Sequence, residues 1–177
     1  MGFAPAEYLG ITSNPERLAD IADIDLDNAQ LREDLDGLAR RASEQTGHPV
    51  SMINIILDNA QLTLGSHGLP DMVRAIGGLP TEWTFCVHTV LARGACVIPD
   101  ARSDHRFDAN PFVGLGLATS YAGIPLLSAH GKIIGTYCVL DDEAGTCSGR
   151  DVDILHTLSQ DVIDIIDSHR IAGSDRR

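Results

Sequence analysis

The stretch Ser120–Asp142, SYAGIPLLSAHGKIIGTYCVLDD, constrains the fold more than any other part of the chain. Tyr121–Leu127 and Lys132–Leu140 read as two strands. They are joined by a tight turn at Ser128, Ala129, His130 and Gly131, and Gly131 is free to take a positive φ. The second arm alternates Ile133, Gly135, Tyr137 and Val139 with Ile134, Thr136, Cys138 and Leu140. Both sets carry apolar groups, which predicts a central strand covered on two sides. Gly123 and Gly135 lie inside the strands. Such glycines mark a bulge, a close approach of backbone or ligand, or simply room for packing.

The rest of the chain must supply what covers that hairpin. With 177 residues, 44% of them apolar, it is long enough for one globular domain with a sizeable core. The net charge of −12 repels duplex DNA and anionic membranes, so neither is an expected partner. Arg40-Arg41 is the longest basic pair before Arg176-Arg177. No stretch approaches the roughly 18–20 apolar residues of a membrane span. The N-terminus lacks a basic-then-apolar leader, so the expected location is the cytoplasm. There the four cysteines read as thiols rather than a disulfide framework.

Residues 1–13 read as a loose lead-in, 14–170 as a single domain and 171–177 as a tail. Asn14 can cap a short helix over 15–22, with Pro15 at its first position. Asp20, Asp23, Asp25 and Asp27 lack the spacing of a calcium loop and read as a solvated connection. Leu31, Leu35, Leu38, Ala39 and Ala42 predict a helix over 28–46, stopped by Gly47. Strands follow at Pro49–Leu57 and Gln61–Gly65. Residues 67–82 look irregular, either a mobile lid or an ordinary surface loop. Thr84–Leu91 reads as a helix and Cys96–Pro99 as a strand, and Asn110-Pro111 opens a turn. Ser148 caps a last helix over 149–169. Its stripe of Val152, Leu155, Leu158, Val162 and Ile166 is widened by Ile154, Ile163 and Ile165. That face exceeds what one sheet needs and predicts a second helix, from this chain or a partner.

YAGIPL, the HG turn and GTYCVLDD resemble the final hairpin of a GAF domain, of the bacterial subgroup found beside histidine kinases and cyclic-dinucleotide enzymes or standing alone. The matching positions are Tyr121, Ala122, Gly123, Pro125, Leu126, Gly131, Gly135, Thr136, Cys138, Val139 and Asp141. NPERL at 14–18, TGHPVSMINIIL at 46–57, FCVH at 85–88 and DARSDHRF at 100–107 extend the resemblance to about His169. The resemblance implies an α/β (α+β) sandwich. A central, mostly antiparallel sheet of five or six strands would carry terminal helices on one face, with loops and short helices on the other. It implies a sensory module that binds a small molecule between sheet and loops and pairs as a homodimer through its terminal helices. Trp83, Phe85, Cys86, His88, Asp104, Phe107 and Tyr121 are the positions it offers for a pocket, against a plainer role in core packing or loop bracing.

Other chemistries find less support. A GAF-type reductase of free methionine sulfoxide needs an attacking thiolate and a resolving thiol. Cys86 matches the resolving position, but Asn110–Ala118, where the attacking cysteine belongs, holds none. Cys138 lies mid-strand, and Cys147 sits in the turn before the last helix. Cys86 and His88 form the one close Cys/His pair, without a second pair for zinc. His88, His105 and His130 lack the context of a haem ligand. The Asn-Lys-x-Phe-Asp-Glu signature of cyclic-nucleotide-binding relatives is missing, as is a Gly-rich phosphate loop. The expectation is therefore a signalling module without a cofactor, metal or catalysis, and without an output segment of its own. The alternatives are a module that binds a signalling protein without a ligand and, further off, a thiol enzyme.

Overall fold

The structure, a computed structural model, describes residues 5–171. Six strands form one sheet: β1 (Val50–Ile56), β2 (Ala60–His67), β3 (Gly78–Pro80), β4 (Cys96–Ile98), β5 (Ser120–Leu127) and β6 (Ile133–Asp141). Their order is β3-β2-β1-β6-β5-β4, and every neighbouring pair is antiparallel. The hairpin β5–β6 is thus interior, with β1 on the far side of β6. Cys138 lies between Met52 of β1 and Gly123 of β5. Successive β6 side chains leave on opposite faces, Tyr137 and Val139 into one cluster, Cys138 and Leu140 into the other.

Two glycines allow close approach. A Cβ at Gly135 would lie 2.0 Å from the Asn54 carbonyl oxygen. One at Gly123 would lie 2.0 Å from the Tyr121 hydroxyl oxygen, so the bare glycine leaves space for the Tyr121 ring. Gly131 adopts φ 71° in the turn.

On one face lie α2 (Pro15–Ala22), α3 (Ala29–Thr46) and α7 (Gly149–Ser168). Local chemistry sets their ends. Asn14 accepts from the Arg17 N–H at 3.0 Å, with Pro15 in the first turn. Asn28 accepts from the Gln30 and Leu31 N–H groups, and Gly47 closes α3 in the left-handed region. Ser148 and Asp151 form a capping box that opens α7. Leu31, Leu35 and Leu38 of α3 and Leu155, Leu158, Val162 and Ile166 of α7 share one cluster with Ile53, Ile55, Ile124, Tyr137 and Val139. The broad face of α7 therefore finds its second helix, α3, within the same chain. His48 lies between Asp141 at 3.0 Å and Asp151 at 3.1 Å, linking the end of β6 to the start of α7.

The opposite face carries α5 (Cys86–Ala92), α6 (Pro111–Gly114) and short 3-10 turns at Thr81–Trp83, Ala101–Ser103 and His105–Phe107. Two segments differ from expectation. Pro5–Thr12, read as lead-in, is a helix, α1. Tyr8 is buried, and the Thr12 hydroxyl donates to the Asp58 carbonyl at 2.7 Å, which gives this segment a tertiary anchor. Residues 67–82 contain α4 (Asp71–Ile76), β3 and a 3-10 turn rather than a wholly irregular path. Arg17 fastens α1 to the sheet, donating to the carbonyls of Thr12 (2.9 Å), Ile133 (2.6 Å) and Ile56. Of the tail read at 171–177, Ile171 alone is described; residues 172–177 lie outside the described residues, as do 1–4 of the lead-in.

Candidate functional site

Between the sheet and the short elements lies a cavity of about 80 Å³. Its floor is Val50 and Met52 of β1, Gln61 of β2, Tyr121 of β5 and Leu140 of β6. One wall is the Leu69-Pro70 turn with Val73 of α4, and the other is Phe112 with Leu117 and Ala118. Trp83, Thr84, Phe85 and Cys86 close the end where α5 begins. Trp83 and Leu117 line the cavity yet are 42% and 47% exposed, so they mark its mouth. Met72, Ile76 and Leu115 add exposed apolar side chains nearby in sequence. The space is several times the ~10–15 Å³ a water needs, and well below the ~300–1,000 Å³ of drug-sized pockets.

The lining holds no charged side chain. Its polar groups are Gln61, Thr84, Cys86, Tyr121 and, at the mouth, the Trp83 indole N–H, and most of the inner ones already have partners inside the protein. The Thr84 hydroxyl donates to the Thr81 carbonyl at 2.9 Å. The Tyr121 hydroxyl bonds Thr89 Oγ1 at 2.7 Å, and burial raises its pKa. Cys86 Sγ accepts from Asn54 Nδ2 at 3.4 Å and lies 3.8 Å from Cys138 Sγ. Burial pushes the Cys86 thiol up, but hydrogen bonds with Cys138, Thr136, Tyr121 and Asn54 outweigh it and leave the value lowered. Cys138 is raised by its bond to Cys86 and then by burial. Gln61 is the exception: its side chain is buried and its Oε1 has no hydrogen-bond partner.

Of the residues proposed from sequence, Trp83, Phe85, Cys86 and Tyr121 line this cavity, whereas His88, Asp104 and Phe107 do not. Those three form a second layer. Phe107 packs on Phe85 with ring centroids 4.8 Å apart, and His88 meets Phe107 edge-on at 4.8 Å. Burial and then Arg106 push the His88 imidazole down to about 4. Asp104 accepts from the Arg106 side-chain Nε at 3.0 Å and from its backbone N–H, so it braces the loop. Gln61, Leu69, Val73, Phe112 and Leu117 belong to the cavity and were not singled out from sequence. In the sequence Gln61 reads only as a residue of the strand Gln61–Gly65. All four cysteines are free thiols. Among the described residues no group of three or more His, Cys, Asp or Glu side chains could hold a metal ion. No helix there is long and apolar enough to cross a membrane.

Comparison with known proteins places this geometry. The GAF domain family model matches residues 30–163. A cyclic di-GMP phosphodiesterase of Pseudomonas aeruginosa is 36% identical over 109 residues, which are 60% of this chain and 18% of that protein. This chain therefore corresponds to a small part of that relative. The GAF domain of a phosphoenolpyruvate-protein phosphotransferase from Coxiella burnetii superposes with a TM-score of 0.65 at 14% identity, covering 94% of this chain and 96% of that one. The free methionine-R-sulfoxide reductase of Neisseria meningitidis, solved with its substrate, gives 0.63 at 17% identity over 96% of this chain and 95% of that one. At such identities these two likenesses carry the fold alone.

Proposed function

Because the chain belongs to the GAF domain family, we propose that it is a sensory and regulatory module of signal transduction, its state set by a small molecule in the cavity between sheet and loops. The observation that carries this reading is the cavity itself. It is walled by short, lightly anchored elements on one side and by the central strands on the other. Occupancy would order α4 and the 112–118 segment, and β1, β5 and β6 pass rigidly through to the helices behind. Trp83, Phe85, Cys86 and Tyr121 give the ligand shape and apolar contact, while His88, Asp104 and Phe107 hold Phe85 and its loop in place. The partial match to a phosphodiesterase named for cyclic di-GMP supports work beside signalling enzymes.

In this reading the module works in the cytoplasm and performs no reaction of its own, since the 110–118 segment offers no attacking thiol. It pairs as a homodimer through the terminal helices, where Val152, Ile154, Ile163 and Ile165 of α7 remain only partly buried. The exposed apolar side chains of Met72, Ile76 and Leu115 favour a second reading, docking of a signalling protein without a ligand. Native mass spectrometry of the purified protein, with an absorption spectrum of the same sample, separates the two. A dimer carrying extra mass supports the sensor. An empty protein whose melting temperature no small molecule in a broad screen raises, but which a partner regulator protects, supports the second.

A further inference from the structure

Apart from the Trp83 indole N–H at the half-exposed mouth, four polar side chains line the cavity, and three of them are already committed within the protein. Thr84 is bonded to Thr81, Tyr121 to Thr89 and Cys86 to Asn54. Gln61 is 1% exposed, lines the cavity, and keeps Oε1 without a partner. A buried carbonyl oxygen without a donor is costly and uncommon in a native fold. Its position is specific as well. Gln61 sits on β2 opposite Ile56 of β1 and Leu79 of β3, with a paired strand on each side. The acceptor is therefore fixed on a rigid element, as a recognition group must be. Around it the lining is aliphatic and aromatic with no Lys, Arg, His, Asp or Glu. An anionic ligand would meet no countercharge there, and its buried charge would go uncompensated.

Resting on the sensory reading above, we propose that the cavity takes a neutral, largely apolar molecule of about one ring, anchored by a single hydroxyl or N–H group that donates to Gln61 Oε1. The ring is received by Phe85, Phe112 and Tyr121, and the mouth between Trp83 and Leu117 admits it. Without a ligand Gln61 Oε1 is buried and has no hydrogen-bond donor. A ligand donor satisfies that acceptor, whereas an isostere without a donor leaves it stranded in a dry site.

Phenol, toluene and benzoate share one ring and differ in the group that would face Gln61. Each is titrated into the isotopically labelled protein and followed by the amide shifts of Gln61, Val73 and Leu117. Phenol is expected to bind about tenfold tighter than toluene, the ratio for one buried hydrogen bond, with benzoate weakest. Gln61→Met keeps the volume and removes the acceptor, so phenol should fall to the level of toluene while toluene is unchanged. Equal affinities for phenol and toluene in the natural protein, or phenol binding undiminished in Gln61→Met, would overturn the anchor and leave a ligand pocket standing. Tightest binding by benzoate would overturn the neutral class. If none of the three probes moves those amides, the anchor and the pocket reading fall together.

Discussion

The two faces of the sheet are built from the same strands and differ in almost everything else. Behind it, α3 and α7, of 18 and 20 residues, press aliphatic stripes onto Ile53, Ile55, Ile124 and Val139. In front, the covering elements are α5, α6 and 3-10 turns of 3–7 residues, and the cluster mixes Phe85, Phe107 and Tyr121 with Cys86 and Cys138. Long helices can bury a continuous stripe; short ones cannot, and they leave the cavity between them. The difference teaches that one face stabilises the domain while the other is free to hold something.

The comparison breaks most visibly under matched deletions. Leu155 is fully buried at the centre of the helical cluster, and Leu117 is half-exposed at the cavity mouth. Leu155→Ala should cost about 2–5 kcal/mol, the range for a core leucine left as a cavity. Leu117→Ala should stay within about 0.5 kcal/mol, as at other surface sites. Urea unfolding midpoints check both. Similar losses would mean that the front layer bears as much of the stability as the back.

A second contrast lies in pH. The front layer encloses His88, whose pKa falls to about 4 because it is buried and faces Arg106, with Asp104 opposing. The unfolded imidazole takes its proton near pH 6.5, so stability is complete above that value and is lost as pH falls towards 4. The loss should reach about 2–3 kcal/mol. His88→Gln should flatten this slope between pH 6.5 and 4.5 in the same urea assay. Asp104 is held below the usual carboxylate range by its hydrogen bond with Arg106, so it acts only at lower pH. A slope unchanged in His88→Gln would place the titration elsewhere.

How far the sequence reveals this division depends on how local each signal is. The hairpin around Gly131 and the caps at Asn14 and Ser148 are written within a few residues each, and all appear in the fold. The sheet centre follows from apolar residues on both faces of β6. By contrast α4 buries no residue, so no periodic stripe announces it. The helix over Pro5–Thr12 is held by Tyr8 and Thr12 meeting groups far along the chain, which no local pattern records. The site divides in the same way. Trp83, Phe85, Cys86 and Tyr121 gather from two separate stretches, and the resemblance carried around FCVH and YAGIPL points to them. Gln61 is legible only as a strand residue. What singles it out is a partner it lacks, and a missing partner is a property of the assembled pocket.

The smallest expected effect has the opposite sign. Substitutions in a packed layer destabilise, yet Gln61→Met removes an orphaned acceptor and fills the same volume with apolar atoms. It should stabilise the unliganded protein by about 1 kcal/mol, read as a raised urea midpoint with unchanged slope. The members of the helical cluster offer no such gain, because they are apolar and packed or, at Tyr137, already hydrogen-bonded to the Leu38 carbonyl. A loss of stability in Gln61→Met would mean that the amide is satisfied in solution, by water or by movement of α4, and that the front face is as finished as the back. A gain would identify Gln61 as a residue retained at a cost to the fold, which is what a group kept for a ligand should be.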